Sequence, residues 1–152
     1  MHLFDAVSLV GFGPVHLGMS RNEVRRLLPG PRVSFGRWQA EPDSTEAFLG
    51  NAFQVDYDAE GRAGYIELSR GGPFTVTYKG IDVFRTPAAQ IEALISQDAA
   101  YDQSHPEVGS SYVYPRLALS VWRDDKPEDD PDEPELGLYF DTIGLGQAGY
   151  YD

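Results

Sequence analysis

Only two stretches of this chain carry the three-to-four-residue apolar spacing of a helix, and both are short. Ser20 followed by Glu23 makes a capping-box pattern ahead of Val24, Leu27 and Leu28, and Pro29-Gly30-Pro31 stops the run. The second opens at Thr86, with Pro87 at the first helical position and Ile91, Leu94 and Ile95 on one face before Asp98. Helices are therefore predicted over 20–28 and 86–96.

Almost everything else alternates as strands do. Phe53, Val55 and Tyr57 lead into the turn Asp58-Ala59-Glu60-Gly61, and Tyr65, Ile66 and Leu68 return, which predicts a β-hairpin. Phe74 to Tyr78 adds an aromatic and β-branched strand ended by Lys79-Gly80. Further strands are predicted over 111–114, 117–123 and 136–145. The expected fold class is α+β, a mostly antiparallel sheet with two short helices on one face.

At 152 residues the chain has the length of one domain, 1–152, and 41% hydrophobic residues are too many for a disordered chain. Its formal net charge of −12 repels nucleic-acid phosphates on average, so nucleic acid is not an expected partner. Zero cysteines remove disulfides, thiolate catalysis and thiolate metal sites, in keeping with a reducing compartment. The first 19 residues lack Lys and Arg and break their apolar run at Gly11, Gly13 and Pro14, which is unlike a signal peptide. The uncharged run from Ala6 to Ser20 is shorter than the roughly 20 apolar residues of a membrane span. A cytoplasmic location with no membrane partner is the expectation.

The two halves are coarsely alike. Val24, Leu27 and Leu28 each find an apolar counterpart 67 positions on, in Ile91, Leu94 and Ile95, and each helix is followed by strands. A tandem αβ repeat, 14–79 and 80–152, and two unrelated amphipathic helices in one domain both give this pattern.

The segment Gly18-Met19-Ser20-Arg21-Asn22-Glu23-Val24-Arg25-Arg26-Leu27-Leu28-Pro29-Gly30-Pro31 resembles the signature of small αβ modules found in the outer-membrane assembly lipoprotein BamE and in the β-lactamase-inhibitor-protein fold. The resemblance covers 14 residues. It implies helices on one face of an antiparallel sheet, a tandem arrangement as in the inhibitor protein, and a protein-binding role. Those families are exported and carry a cysteine, which this chain lacks, so their locations and partners do not transfer. The whole-chain pattern also resembles small bacterial immunity and inhibitor proteins.

Several motifs imitate chemistry. Asp56, Asp58 and Gly61 with Glu67 approach calcium-loop spacing, but strand-like flanks replace the two helices such a loop needs, and a hairpin explains every residue. Gly144-Leu145-Gly146-Gln147-Ala148-Gly149 matches a dinucleotide fingerprint without a following helix to hold a pyrophosphate; it is expected to be a turn that folds Tyr150 and Tyr151 back. His2, His16 and His105 have no metal-ligand spacing, and Ser104-His105-Pro106-Glu107 before Ser110 and Ser111 is expected to be a turn. No catalytic residue, metal or cofactor is assigned.

The strongest compositional feature is the segment 124–135. Asp124, Asp125, Glu128, Asp129, Asp130, Asp132, Glu133 and Glu135 stand against one Lys, with three prolines, for a charge of −7. Like charges repel and proline blocks strand pairing, so an extended acidic loop is expected. It serves either as a solvated linker or as a prong for a basic protein surface. By contrast residues 1–40 hold Arg21, Arg25, Arg26, Arg32 and Arg37 against Asp5 and Glu23; Arg21, Arg25 and the polar Asn22 are expected on a solvent face of the helix, away from Val24, Leu27 and Leu28. Tyr112, Tyr114 and Trp122, near the acidic segment, are the aromatic candidates for a contact surface.

The combined expectation is a non-catalytic acidic protein-binding module, of which an immunity or inhibitor protein is the sharpest form. The alternatives are a small hydrolase whose carboxylate or Ser/His site assembles only in three dimensions, and a self-associating structural domain. Oligomeric state is left open.

Overall fold

A computed structural model describes residues 2–36, 44–124 and 137–152. Twelve strands and two helices form in the order β1 (His2–Val7), β2 (Gly11–Phe12), β3 (Val15–His16), α1 (Arg21–Leu27), β4 (Arg32–Phe35), β5 (Thr45–Phe48), β6 (Phe53–Tyr57), β7 (Ala63–Ser69), β8 (Phe74–Tyr78), β9 (Ile81–Asp82), α2 (Ala88–Ser96), β10 (Ser111–Tyr114), β11 (Leu119–Trp122) and β12 (Thr142–Gly146). The strands make a five-stranded sheet, β3-β2-β1-β8-β9, and a seven-stranded sheet, β10-β11-β12-β7-β6-β5-β4. Every pairing is antiparallel except β1 with β8. The α+β class and the mostly antiparallel sheet follow the sequence expectation.

Register places the core. Across the large sheet Tyr114, Leu119, Leu145, Ile66 and Val55 fall in one row, and Val121, Ile143, Leu68, Phe53 and Phe48 in the next. With side chains alternating between faces, both rows point to the same side, and they are all buried. The small sheet covers the middle of that side, where the Phe4 ring meets Phe53 edge-on at 5.0 Å and Phe12 meets it at 6.4 Å. The helices cover its two ends. α2 receives a hydrogen bond from the Tyr114 hydroxyl at the Glu92 carbonyl, 3.3 Å, while α1 reaches the β5 end through Arg25.

Local sequence explains the helix limits. The Ser20 hydroxyl accepts from the Glu23 N–H at 3.3 Å and the Glu23 carboxylate accepts from the Ser20 N–H at 3.3 Å, a reciprocal capping box that satisfies two donors the first turn leaves over. α2 begins later than its spacing suggested: Pro87 is the N-cap with extended backbone, and the Ala88 N–H donates to the Leu138 carbonyl instead of starting inside the helix. Val24 and Leu28, like Ile91 and Ile95, are buried, whereas Leu27 is more than a third exposed.

Three strand expectations need adjustment. β11 starts at Leu119 because Pro115–Leu117 forms a 3-10 turn that ends on Ala118 at φ 47°. β12 starts at Thr142, with turns over 137–141, and Leu136 lies outside the described residues. β12 also runs on through Gly146, so two glycines of the expected turn are strand residues, and the turn itself spans 148–151. A Cβ on Gly144 would meet the Tyr65 hydroxyl, and one on Gly146 would meet the Tyr150 ring at 2.5 Å, so both positions demand glycine for close approach. Tyr150 stacks on Tyr65 at 4.7 Å and the Tyr151 hydroxyl donates to Ser120 Oγ at 2.8 Å, which is the expected fold-back of the two tyrosines.

Candidate functional site

Among the described residues, charged side chains gather at the root of the acidic segment and at the β5 end of the large sheet, apart from the surface pair Lys79–Asp98.

At the root, β10 and β11 lead the chain to Arg123. Its Nε donates to the Gly109 carbonyl at 2.8 Å and its Nη1 to the Gly137 carbonyl at 2.9 Å. The Asp124 N–H donates to Asp141 Oδ2 at 2.8 Å, and Asp141 in turn pairs with Arg70 at 2.6 Å. One guanidinium thus ties together residues 123 and 137, which bracket the acidic run. Of the eight acids singled out, Asp124 is exposed at this root; Asp125, Glu128, Asp129, Asp130, Asp132, Glu133 and Glu135 lie outside the described residues.

The three aromatic candidates do not share a surface. Trp122 points to the outer side of the sheet, opposite Ser111 and Thr142, and is 37% exposed. Tyr112 and Tyr114 pair with Val121 and Leu119 and point inward. Tyr114 is fully buried, so its assignment to a contact surface is corrected: it is a core residue. Tyr112 is half-buried, edge-on to Tyr101 at 4.9 Å and to Phe140 at 6.0 Å.

At the β5 end a carboxylate interrupts the core. Glu46 pairs with Val55 and so extends the row Leu119, Leu145, Ile66, Val55 on the inner side, wholly buried. Arg25 Nε donates to its Oε2 at 3.0 Å and to its Oε1 at 3.3 Å, and Arg25 Nη2 donates to Oε2 as well. Tyr57 Oη donates to Oε1 at 3.0 Å, and Ser34 Oγ to Oε2 at 3.4 Å. Arg32 Nε stands 3.6 Å and Arg21 Nη1 3.8 Å from Oε2, and the Arg21 guanidinium lies over the Tyr57 ring at 4.3 Å.

Burial by itself would raise the Glu46 pKa. The hydrogen bonds from Arg25 and Tyr57 and the charges of Arg25 and Arg21 outweigh it and hold the carboxyl below its ordinary range. The same burial, with the Glu46 charge, pushes the Tyr57 phenol far up, so it stays a donor. Arg21 and Arg25 are therefore half-buried over a carboxylate and do not form the solvent face expected of them. Arg37, counted with them in sequence, lies outside the described residues.

The imitating motifs are accounted for by local structure. Asp58 Oδ1 accepts from the Glu60 and Arg62 N–H groups at 3.0 Å each, closing the β6–β7 turn, and Asp56 accepts from Thr45 Oγ1 at 2.7 Å. His105 Nδ1 accepts from the Glu107 N–H at 3.1 Å in the expected turn. Among the described residues no three His, Asp or Glu gather as metal ligands, and no helix is long and apolar enough to cross a membrane.

Sequence reasoning missed Glu46. Its signal was faint: a lone acid between Thr45 and Ala47-Phe48, and an i, i+4 pair of arginines on a helix with no acid at the matching spacing. No protein-family model, curated protein or solved structure matches the chain.

Proposed function

We propose that the protein is a non-catalytic binding module that engages a basic protein surface through the acidic run 124–135, in the manner of an immunity or inhibitor protein. The observation that carries this reading is the root: Arg123, which follows β11, hydrogen-bonds Gly137, so the described residues on either side of the run 124–135, of charge −7, are held together. Fixing both ends lowers the entropy such a segment loses on docking. A concentrated negative field steers a cationic partner at long range. Trp122, exposed on the outer side of the strand that leads into the root, supplies apolar contact area beside it.

The test is capture of partners from the native lysate at low and high salt, beside a variant with Asp124, Asp125, Glu128, Asp129, Asp130, Asp132, Glu133 and Glu135 changed to Asn or Gln. One basic protein retained stoichiometrically, and lost with salt and in the variant, is the expected result. Equal retention by the neutralised chain overturns the reading.

A further inference from the structure

Two cavities meet over the turn that joins β7 to β8. The larger, about 450 Å³, is an open cleft between that turn, 69–73, and the β5–β6 turn, 49–52. The smaller, about 230 Å³, runs on from Arg70, Gly71 and Gly72 along Phe74 and Val76 to Phe84 and Arg85. The backbone here is shaped at a cost. Leu49, Gly50 and Asn51 take φ 54°, 69° and 70°, three left-handed residues in succession, two of them without glycine's freedom. A Cβ on Gly72 would lie 2.6 Å from the Ala52 Cβ and strike the Phe74 ring, so it takes a glycine to close the turn down over both.

The lining sets the chemistry. Phe74, Val76 and Phe84 give the smaller cavity apolar walls, and Arg70 and Arg85 line it with them. Arg70 is already paired with Asp141 at 2.6 Å. Asp82, also in the lining, accepts from the Phe84 and Arg85 N–H groups at 3.1 Å each, which fixes the Arg85 backbone. Among the described residues the Arg85 guanidinium itself has neither acceptor nor ion-pair partner. One uncommitted guanidinium beside an apolar cavity suits a ligand with a single negative charge on an apolar body. The volume is below the roughly 300–1,000 Å³ of pockets that hold drug-sized ligands, which suits one ring and one carboxylate and excludes a nucleotide.

We propose that the smaller cavity binds an aromatic monocarboxylic acid, its ring against Phe74 and Phe84 and its carboxylate on the planar fork of Arg85. The larger cleft, continuous with it at Gly71 and Gly72, leaves space for a ring substituent. This site does not rest on the role proposed for the acidic run.

The test is titration of the full chain with benzoate at neutral pH and low salt, followed by amide NMR shifts. Saturable shifts over 70–72, 74–76 and 82–85 are expected. Arg85→Gln removes no side-chain hydrogen bond among the described residues, so its spectrum elsewhere should match the parent while its affinity falls by about tenfold. Benzamide keeps the ring without the charge and acetate the charge without the ring, and both should bind more weakly than benzoate. Absence of shifts at millimolar benzoate, equal affinity in Arg85→Gln, benzoate matched by either analogue, or shifts centred on Arg21, Arg25 and Arg32 overturns the proposal.

Discussion

A methyl group on Gly144 would lie 1.9 Å from the hydroxyl oxygen of Tyr65. Tyr65 is itself buried, stacked under Tyr150 and within 3.4 Å of Ser120 Oγ and of Glu67, so it has little room to retreat. Gly144→Ala should lower stability by about 1–3 kcal/mol, the usual cost of forcing extra volume into a packed site. Urea unfolding measures it. The double variant with Tyr65→Val should cost less than the sum of the two single changes, since they share one clash; strict additivity would refute the packing account.

Glu46 makes stability depend on acid pH. Its folded carboxyl titrates below the ordinary value of 4.5 that it regains on unfolding. The contribution of its pairing is therefore complete above pH 4.5 and is lost as pH falls through the lower folded value. Glu46→Gln removes this one titration and keeps the other acids. Urea midpoints should fall less steeply below pH 4.5 in the variant than in the parent, and parallel profiles would count against the assignment.

Arg25→Ala should be worse for stability than Arg32→Ala. Removing Arg25 leaves a buried carboxylate without its main partner, which costs about 3–5 kcal/mol in comparable sites. Arg32 is more exposed and not hydrogen-bonded to Glu46, so its loss should stay within about 1 kcal/mol. Thermal unfolding of the two variants side by side checks the order.

Ser20→Ala breaks the capping box of α1 and should cost about 1 kcal/mol. The comparison is Thr86→Ala at the start of α2, where Pro87 is the N-cap and makes no side-chain capping bond; chemical denaturation should show little change there.

What was legible in the sequence was what depends on near neighbours. The capping box, the 53–68 hairpin with its Asp58 turn and the Lys79-Gly80 corner each need only a few adjacent residues, and each is present. The corner works because Lys79 and Gly80 both take positive φ, 51° and 81°, which matches a two-residue hairpin turn. Face assignment was not legible. Tyr114 and Trp122 both read as strand aromatics, and only pairing register turns one inward and the other outward. Glu46 was hidden for the same reason: its partners come from α1, β4 and β6, and nothing local to Thr45-Glu46-Ala47 announces them. β2 and β3 were missed because glycine and proline chop that stretch into two-residue strands, too short for alternation to register, and the six-residue β1 before them was missed as well.

The parallel pairing of β1 with β8 carries a consequence for the order of events during synthesis. His2 to Asp5 align with Phe74 to Thr77, so β1 is completed by a strand made about seventy residues later. Until then β1 has only the short β2 beside it, and Phe4 lacks its register partner Val76. The α1–β7 portion can form in the interval through neighbour-to-neighbour hairpins, whereas the small sheet must wait. The β1–β2 hairpin therefore stays without its sheet neighbour until residues 74–78 arrive to complete the small sheet.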